Sequence, residues 1–156
     1  MERTLVLLKP DAVQRGLVGN ILSRFEAKGL KLVALKMRTF PEEHLKKHYD
    51  VHKDRPFFSS LVGFMSSGPV VALALEGKNA ISVTRTLIGA TNSAEAQPGT
   101  IRGDLGMSFS NNLVHGSDGP DTAKSELELW FGDAAELSEW TPCGESWVYN
   151  VEEELA

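Results

Sequence analysis

The sequence predicts an α+β fold: an antiparallel β-α-β-β-α-β sheet of ferredoxin-like topology, with a helical hairpin inserted between its two middle strands. Short apolar runs typical of buried strands occupy residues 4–8, 70–75 and 113–115. Residues 31–39 alternate between apolar and polar side chains, as a fourth strand would. Helical patterns separate these runs, so the predicted order is strand, helix, strand, helical hairpin, strand, helix, strand, helix.

The first half of the chain carries start and stop signals for three helices. Residues 17–28 repeat apolar side chains at the spacing of an amphipathic helix, and Gly29 is a good stop signal. Pro41, followed by two glutamates, favours a helix start, because acidic residues in the first turn suit the helix dipole. Residues 55–56, Arg-Pro, should break this helix, and residues 57–65 are its predicted return partner.

The strand over residues 31–39 should present Val33, Leu35 and Met37 on one face and charged side chains on the other. We expect the helices to pack on one face of the sheet. The opposite face would then need cover, which a second subunit could provide in a chain of this size.

The second half of the chain alternates between loops and helices. Residues 79–87 form a predicted helix with Asn79 as its cap. Residues 89–110 are rich in glycine and should be mainly loop, and residues 121–131 form the last predicted helix.

Length and composition narrow the class of protein. The 156 residues should form a single domain, residues 1–156. The net charge of −5 argues against a protein that coats nucleic acid, which would need a basic face. A single cysteine, Cys143, excludes an internal disulfide and fits a reducing compartment. The N-terminus shows no signal peptide and no stretch is long enough to span a membrane, so we expect a cytoplasmic protein.

The C-terminal extension, residues 133–156, holds Trp140, Trp147 and Tyr149 among acidic residues. So many large aromatic side chains should not all be left in water. They could anchor the extension to the core, or they could form a subunit contact.

The most informative segment is Asn-Asn-Leu-Val-His-Gly-Ser-Asp at residues 111–118. A histidine that ends a short apolar run before small turn residues should face a cleft. A neutral imidazole is a good nucleophile near neutral pH, so His115 is a candidate for catalysis. The alternative is a structural histidine held by hydrogen bonds in the core.

Cationic side chains in separate motifs suggest what the cleft would bind. Lys9 ends a buried strand, where an unpaired lysine would be costly, although it could also be a solvated strand-end residue. Arg85 and Arg102 can each donate two hydrogen bonds to phosphate oxygens. Taken alone, however, Arg85 would be interpreted as an exposed charge at a helix end. No Walker-type loop is present, because Gly77-Lys78-Asn79 lacks the upstream glycine. Phosphates would have to be held by side chains.

Five motifs in order resemble the nucleoside diphosphate kinase family over residues 4–149. They read Leu-Leu-Lys-Pro-Asp-Ala-Val at 7–13, His-Tyr-Asp-Val-His-Lys-Asp-Arg-Pro-Phe-Phe at 48–58, Gly-Ala-Thr-Asn at 89–92, Pro-Gly-Thr-Ile-Arg-Gly-Asp at 98–104 and the segment around His115. The resemblance implies an enzyme that moves the γ-phosphate of a nucleoside triphosphate, usually ATP, to a nucleoside diphosphate. It implies a ping-pong reaction through a phosphohistidine and an assembly of four or six subunits.

The resemblance also implies a role for each site residue. His115 would attack through Nδ1, while Glu126 hydrogen-bonds its other nitrogen and Ser117 supports that arrangement. Tyr49 would lie near the transferred phosphate. The residues implied to contact phosphates are Lys9, Arg85, Thr91 and Arg102; those implied to hold sugar hydroxyls are Lys9 and Asn112.

Base recognition should be broad. The resemblance implies that Phe57 stacks on the base, and stacking tolerates any base because each has a π-face. The alternative is that Phe57 and Phe58 both belong to the core. Mg²⁺ should arrive with the nucleotide phosphates, with Asp118 as the nearest carboxylate by motif.

His44, His48 and His52 fall at helical i, i+4 and i+8 spacing and could suggest a zinc site. No cysteine or metalloprotease-type glutamate accompanies them. We therefore favour a solvated helix face for His44 and His48, while the resemblance implies that His52 approaches the phosphates.

Three departures from the family pattern should alter affinity or assembly without abolishing activity. They are Ser93 where proline is common, Asn111 where arginine is common, and Phe109 where an aliphatic residue usually lines the base site. Two other classes of function are disfavoured. A non-catalytic nucleotide sensor or scaffold would be expected to lack His115 or Lys9, and an RNA-recognition domain would carry an aromatic motif and a basic surface.

Overall fold

The computed structural model describes residues 1–155 and shows a four-stranded antiparallel sheet in the order β2-β3-β1-β4. The strands are β1 (Glu2–Leu8), β2 (Lys31–Arg38), β3 (Val70–Gly77) and β4 (Val114–Gly116). This confirms the predicted α+β fold. β1 and β3 are the central strands, and both are apolar along most of their length, as burial on two faces requires.

Nine helices accompany the sheet in the described part of the chain. They are α1 (Pro10–Gln14), α2 (Val18–Lys28), α3 (Glu42–His48), α4 (Phe58–Ser66), α5 (Ala80–Ile88), α6 (Ile101–Leu105), α7 (Pro120–Trp130), α8 (Glu145–Val148) and α9 (Val151–Glu154). Short 3₁₀ turns occupy Asp50–His52, Ser93–Glu95 and Ala134–Glu136. The helical hairpin α3–α4 lies between β2 and β3 in the chain, as predicted.

The sheet is covered on both faces by this one chain, so the expectation of helices on one face only is wrong. Leu5 and Leu7 of β1 belong to a core with residues of α3, α4 and the end of α7. Val6 and Leu8 point the other way, into a second core with residues of α2, α5 and α6. The helical hairpin and helix α7 of the same chain cover this first face, so a second subunit is not needed to cover it.

The prediction that Val33, Leu35 and Met37 share one apolar face of β2 is also wrong. A bulge between Leu32 and Ala34 shifts the register, and both Val33 and Ala34 are buried. Beyond the bulge, Leu35 and Met37 are 49% and 54% exposed, because β2 is an edge strand at this point.

Local signals set most helix boundaries. Gly29 ends α2 with φ of +102°, a left-handed conformation that favours glycine. Helix α1 was missed in the sequence, although Pro10 at its first position is a typical helix start. Asn79 precedes α5 as predicted, but its side chain makes no capping bond. The Glu2 carboxylate accepts the Ile81 N–H at 2.7 Å instead.

Helix α3 ends at His48, seven residues before the predicted break at Arg55-Pro56. The chain tightens there into a 3₁₀ turn, and the Tyr49 side chain is buried in the first core. Tertiary packing of His48 and Tyr49 therefore ends this helix earlier than its breaker residue would.

The C-terminal extension folds back along the outer edge of β2. The Ser138 N–H donates to the Val33 carbonyl at 2.8 Å, and the Trp140 indole N–H donates to the Leu32 carbonyl at 3.0 Å. The Tyr149 hydroxyl accepts the Lys78 N–H at 3.1 Å. Trp147, in contrast, is 92% exposed. Trp140 and Tyr149 thus anchor the extension to the core.

None of the helices in residues 1–155 combines the length and the apolar character that crossing a membrane requires.

Candidate active site

His115 lies in β4, opposite Leu7 of the central strand β1. The chain enters β4 through Leu113, which has φ of +73°, an uncommon conformation for a branched residue. The Asp11 carboxylate accepts the Leu113 N–H at 3.1 Å and so holds this turn in place. The His115 side chain is 24% exposed, so it can be reached from solvent.

Glu126 of α7 orients the His115 ring. Its Oε2 lies 2.8 Å from His115 Nε2, and its Oε1 accepts the Ser117 hydroxyl at 2.6 Å. Burial disfavours the charged carboxylate, but hydrogen bonds from His115 and Ser117 outweigh it and lower the pKa of Glu126. The ionised carboxylate therefore keeps the proton of neutral His115 on Nε2, which leaves the Nδ1 lone pair without a proton.

Ser117 links this pair to the sheet. The Leu5 N–H donates to the Ser117 hydroxyl oxygen at 3.3 Å, and the Ser117 N–H donates to the Leu5 carbonyl at 3.1 Å. The side chain of Ser117 is fully buried. It can therefore hold Glu126 in one position.

Lys9 is only 8% exposed, and its ammonium group donates to Asn112 Oδ1 at 2.8 Å. Burial, together with the positive charge of Arg102, lowers the pKa of Lys9 to about 8, although the negative charge of Asp11 opposes this shift. A buried ammonium with an amide as its hydrogen-bond partner is poorly compensated in charge. An anion bound beside Lys9 would supply the missing negative charge.

Arg102 is buried, and its hydrogen bonds hold neighbouring backbone segments together. Its guanidinium donates to three carbonyls, those of Asn112, Gly89 and Val114. Burial, and then the positive charge of Arg85, lowers the pKa of Arg102 to about 10. Arg102 thus ties α6 and the loop after α5 to the entry of β4, and it remains charged at neutral pH.

The structure brings most of the remaining predicted residues to the same end of the sheet. Arg85 of α5 is exposed and donates to the Gly116 carbonyl at 3.2 Å. The Asn112 amide donates to the Thr91 carbonyl at 3.0 Å, which places the exposed Thr91 near the cations. Asp118 is exposed in the loop after β4.

Tyr49 and Phe57 approach from the helical hairpin. The Tyr49 hydroxyl is buried without a hydrogen-bond partner among residues 1–155, and burial, followed by the negative charge of Glu126, raises its pKa. Phe57 is about half exposed, while Phe58 packs against the first core, so the expectation of an outward Phe57 is confirmed. The His52 ring lies 5.4 Å from the Phe57 ring.

The three hairpin histidines do not share one helix face, and the solvated face expected for His44 and His48 is wrong. The side chain of His48 is 1% exposed, and its ring lies 4.8 Å from the ring of His115. His44 stacks on Phe40 and contacts the edge of Trp130. Because α3 ends at His48, His52 no longer shares its face.

Sequence reasoning missed Asp11, His48 and Trp130 as residues of the site. Asp11 is only two positions after Lys9, which was the available signal. The other two meet across 82 positions, where the Trp130 indole N–H donates to His48 Nδ1 at 3.0 Å. Only the fold brings them together.

The three departures lie around the edge of the site. Ser93 is buried, and its hydroxyl has no partner among residues 1–155. Asn111 and Phe109 are exposed. None of them contacts His115, and their effects stay predictions.

The fold and the site define a class of enzyme. An oriented imidazole beside Lys9, Arg85 and Arg102 suits the transfer of an anionic phosphoryl group, because such catalysis depends on positioning and cationic stabilisation.

Comparisons with known proteins lead to the family. Residues 2–135 match the family model described as nucleoside diphosphate kinase. A nucleoside diphosphate kinase of Picosynechococcus is 58% identical, covering 96% of this chain and all of the relative, and that of Archaeoglobus fulgidus is 55% identical over 96% and 99%.

Solved structures agree with the sequence relatives. A nucleoside diphosphate kinase family protein from Babesia bovis superposes with a TM-score of 0.92 at 46% identity, covering 96% of this chain and all of that one. A Halobacterium salinarum nucleoside diphosphate kinase in complex with CDP also gives 0.92, at 49% identity and 95% and 98% coverage.

The chain therefore belongs to the nucleoside diphosphate kinase family, and its activity is phosphoryl transfer between nucleotides. This confirms the predicted enzyme class.

Proposed function

We propose that the γ-phosphoryl group passes through His115 in a ping-pong reaction. The observation that carries this proposal is the hydrogen bond that His115 Nε2 donates to Glu126 Oε2. In the first step the Nδ1 lone pair forms a bond to the γ-phosphorus, the bond to the bridging oxygen breaks, and the diphosphate leaves. In the second step a terminal oxygen of the acceptor diphosphate attacks the same phosphorus and releases His115.

The cations act on charge that builds up during each transfer. Lys9, Arg85 and Arg102 would contact the phosphates, and the Thr91 hydroxyl would donate to a phosphate oxygen. The Tyr49 hydroxyl, which is buried without a partner, would hydrogen-bond near the transferred group. Glu126 compensates the positive charge that the His115 ring gains when Nδ1 forms its bond to phosphorus.

Sugar and base are held with little selectivity. Asn112 and Lys9 would bind sugar hydroxyls, and half-exposed Phe57 would stack on the base. Stacking alone does not discriminate among bases, so purine and pyrimidine nucleotides, with ribose or deoxyribose, should all be accepted.

Mg²⁺ would enter as the nucleotide complex. Exposed Asp118 is the carboxylate available to its hydration shell, and this sparse donor set fits an ion that prefers phosphates and water. The ion would neutralise charge on the phosphates and fix their orientation.

We also propose that residues 1–156 form a single domain that assembles as a hexamer or tetramer, with 133–156 contributing to a subunit contact. The exposed Trp147 supports this contact. We place the enzyme in the cytoplasm, where a single exposed Cys143 would stay reduced.

Incubation with γ-labelled ATP and Mg²⁺, without an acceptor, tests the role of His115. We expect label on the protein that is lost in acid, kept in base, and absent from His115→Ala. The exposed Glu128→Ala variant, on the same helix as Glu126, is the control and should label normally. Equal labelling of His115→Ala would refute this residue as the nucleophile.

A further inference from the structure

A second histidine, which the proposed reaction does not use, lies beside the His115–Glu126 pair. His48 lies at the end of α3, with its side chain buried against Trp130, Tyr49 and His115. Its Nδ1 is 3.6 Å from Glu126 Oε2, the same oxygen that binds His115. His48 is therefore placed to compete for the carboxylate on which His115 depends.

Trp130 determines whether that competition occurs. Its indole nitrogen can only donate a hydrogen bond, and it donates to His48 Nδ1 at 3.0 Å. The Nδ1 atom must accept this bond, so it carries no proton, and the proton of neutral His48 is on Nε2. A nitrogen without a proton cannot donate to Glu126.

We propose that Trp130 and His48 are positioning residues that reserve Glu126 Oε2 for His115. If Nδ1 of His48 carried a proton, it could donate to Glu126 and weaken the bond that orients His115. If Nε2 kept its proton as well, the His48 ring would be a second positive charge beside the imidazolium that forms during transfer. This inference rests on the proposed role of His115 and extends it to two residues that never touch the substrate.

The surroundings of His48 also keep it neutral. Burial, together with the proximity of His115, His44 and Lys9, lowers the pKa of His48 to about 3, against the attraction of Glu126. Tyr49 also faces the ring and is neutral at physiological pH, because burial raises its pKa. The indole bond then fixes which neutral tautomer is present.

The same three residues could in principle hold a metal ion, because ligand atoms of His48, His115 and Glu126 lie within 4.8 Å of one another. The indole N–H of Trp130 already occupies the lone pair of His48 Nδ1 that such an ion would need. The hydrogen-bonded arrangement therefore accounts for the cluster without a metal.

Nitrogen-15 NMR of histidine-labelled protein measures the tautomer directly. The chain has four histidines, and His48→Phe assigns the signal of residue 48. We expect an unprotonated Nδ1 and a protonated Nε2 in the wild type, with a proton appearing on Nδ1 in Trp130→Phe. A protonated Nδ1 in the wild type, or an unchanged tautomer in Trp130→Phe, would overturn the inference. Adding Zn²⁺ should leave the wild-type signals unchanged, and a shift of both the His48 and the His115 signals would indicate a metal site.

Single-turnover labelling of His115 measures the consequence. Trp130→Phe should slow phosphorylation by about tenfold, as removal of an outer hydrogen-bonding partner commonly does. The loss should deepen as the pH falls, because His48 freed of its donor can then be protonated beside Glu126. Trp140→Phe is the matched control, since that indole donates to a carbonyl on the edge of β2, and it should label at the wild-type rate.

The double variant separates positioning from packing. His48→Phe removes the competing nitrogen, so Trp130→Phe with His48→Phe should label faster than Trp130→Phe alone. Losses that simply add would mean that both residues serve only to pack the core. If the wild type itself carries no label on His115, the proposed reaction fails, whereas normal labelling with an unaffected Trp130→Phe refutes only this inference.

Discussion

At the scale of single residues, the site is organised by hydrogen bonds that leave particular atoms available. Both carboxylate oxygens of Glu126 are engaged, one by His115 and the other by Ser117. Lys9 is buried against Asn112, where an ammonium group has less solvation than it would have in water. The structure thus holds the His115 ring in one orientation and leaves the positive charge of Lys9 poorly compensated.

Replacing Glu126 tests the orientation of His115. Glu126→Gln keeps the shape but removes the charge that compensates the developing imidazolium, so labelling of His115 should slow by about 10- to 100-fold. Exposed Glu128→Gln on the same helix is the control. The measurement is single-turnover labelling, and an unchanged rate would mean that Glu126 does not assist the transfer.

Replacing Lys9 tests whether burying its positive charge at the site lowers the stability of the folded protein. The pKa of Lys9 is lowered from 10.5 to about 8, so the unfolded chain binds more protons between these values and stability should rise with pH across them. The penalty for the charge is fully present below pH 8. Lys9→Met should therefore raise the free energy of unfolding at pH 7 by on the order of 1–3 kcal/mol, while abolishing activity.

Urea unfolding of the nucleotide-free protein at pH 7 and at pH 10.5 measures this difference. The gain from Lys9→Met should shrink at the higher pH, where folded wild-type Lys9 is already neutral. A variant that is less stable than the wild type at pH 7 would contradict the argument.

At the scale of elements, the position of β4, the strand that contains His115, depends on hydrogen bonds with the short helices α6 and α1. Arg102 on α6 binds the carbonyls on both sides of the entry to β4, and Asp11 on α1 holds the left-handed Leu113. Helix α6 is itself capped by the Thr100 hydroxyl, which accepts the Gly103 N–H at 2.9 Å. A substitution that displaces α6 should therefore also displace Arg102 and the backbone at the entry to β4 that Arg102 binds.

Two glycine substitutions compare a close approach with open space. A Cβ at Gly103 would overlap the backbone carbonyl of Gln97, whereas one at Gly19 in α2 would meet nothing within 4 Å. Gly103→Ala should destabilise the fold by more than about 2 kcal/mol, as forced overpacking does. Gly19→Ala should stabilise it by about 0.5–1 kcal/mol through helix propensity. Thermal unfolding measures both, and equal effects would refute the close packing of α6.

How much the sequence predicts depends on how far apart the interacting residues lie. Apolar periodicity was enough to locate the strands and most helices, and motif order was enough to select His115 and the cations, whose roles stay predictions. The bulge that exposes Leu35 could not be predicted, because it depends on pairing with β3. The burial of His48 depends on Trp130, 82 positions away, and no local pattern reports such a contact.

At the scale of the whole molecule, the C-terminal extension adds a surface that the core does not need. Trp140 and Tyr149 anchor it to the sheet, while Trp147 faces outward. The sheet already has cover on both faces, so subunit contacts are not required to complete either core.

Trp147→Ala should weaken assembly without unfolding the subunit. An exposed indole contributes little to the fold of one chain, but it can contribute strongly to a subunit contact. Light scattering after size-exclusion chromatography should show a shift towards smaller species on dilution, with exposed Val51→Ala as the control. An unchanged mass at every concentration would place the contact elsewhere.

The central claim is that one histidine carries the phosphoryl group between nucleotides. The most direct test is to label the protein with γ-labelled ATP, remove all nucleotide, and then add GDP, CDP or dTDP separately. The mechanism predicts that each diphosphate removes the label completely and becomes the labelled triphosphate. Label that stays on the protein, or that moves only when ATP is present together with the acceptor, would contradict transfer through His115.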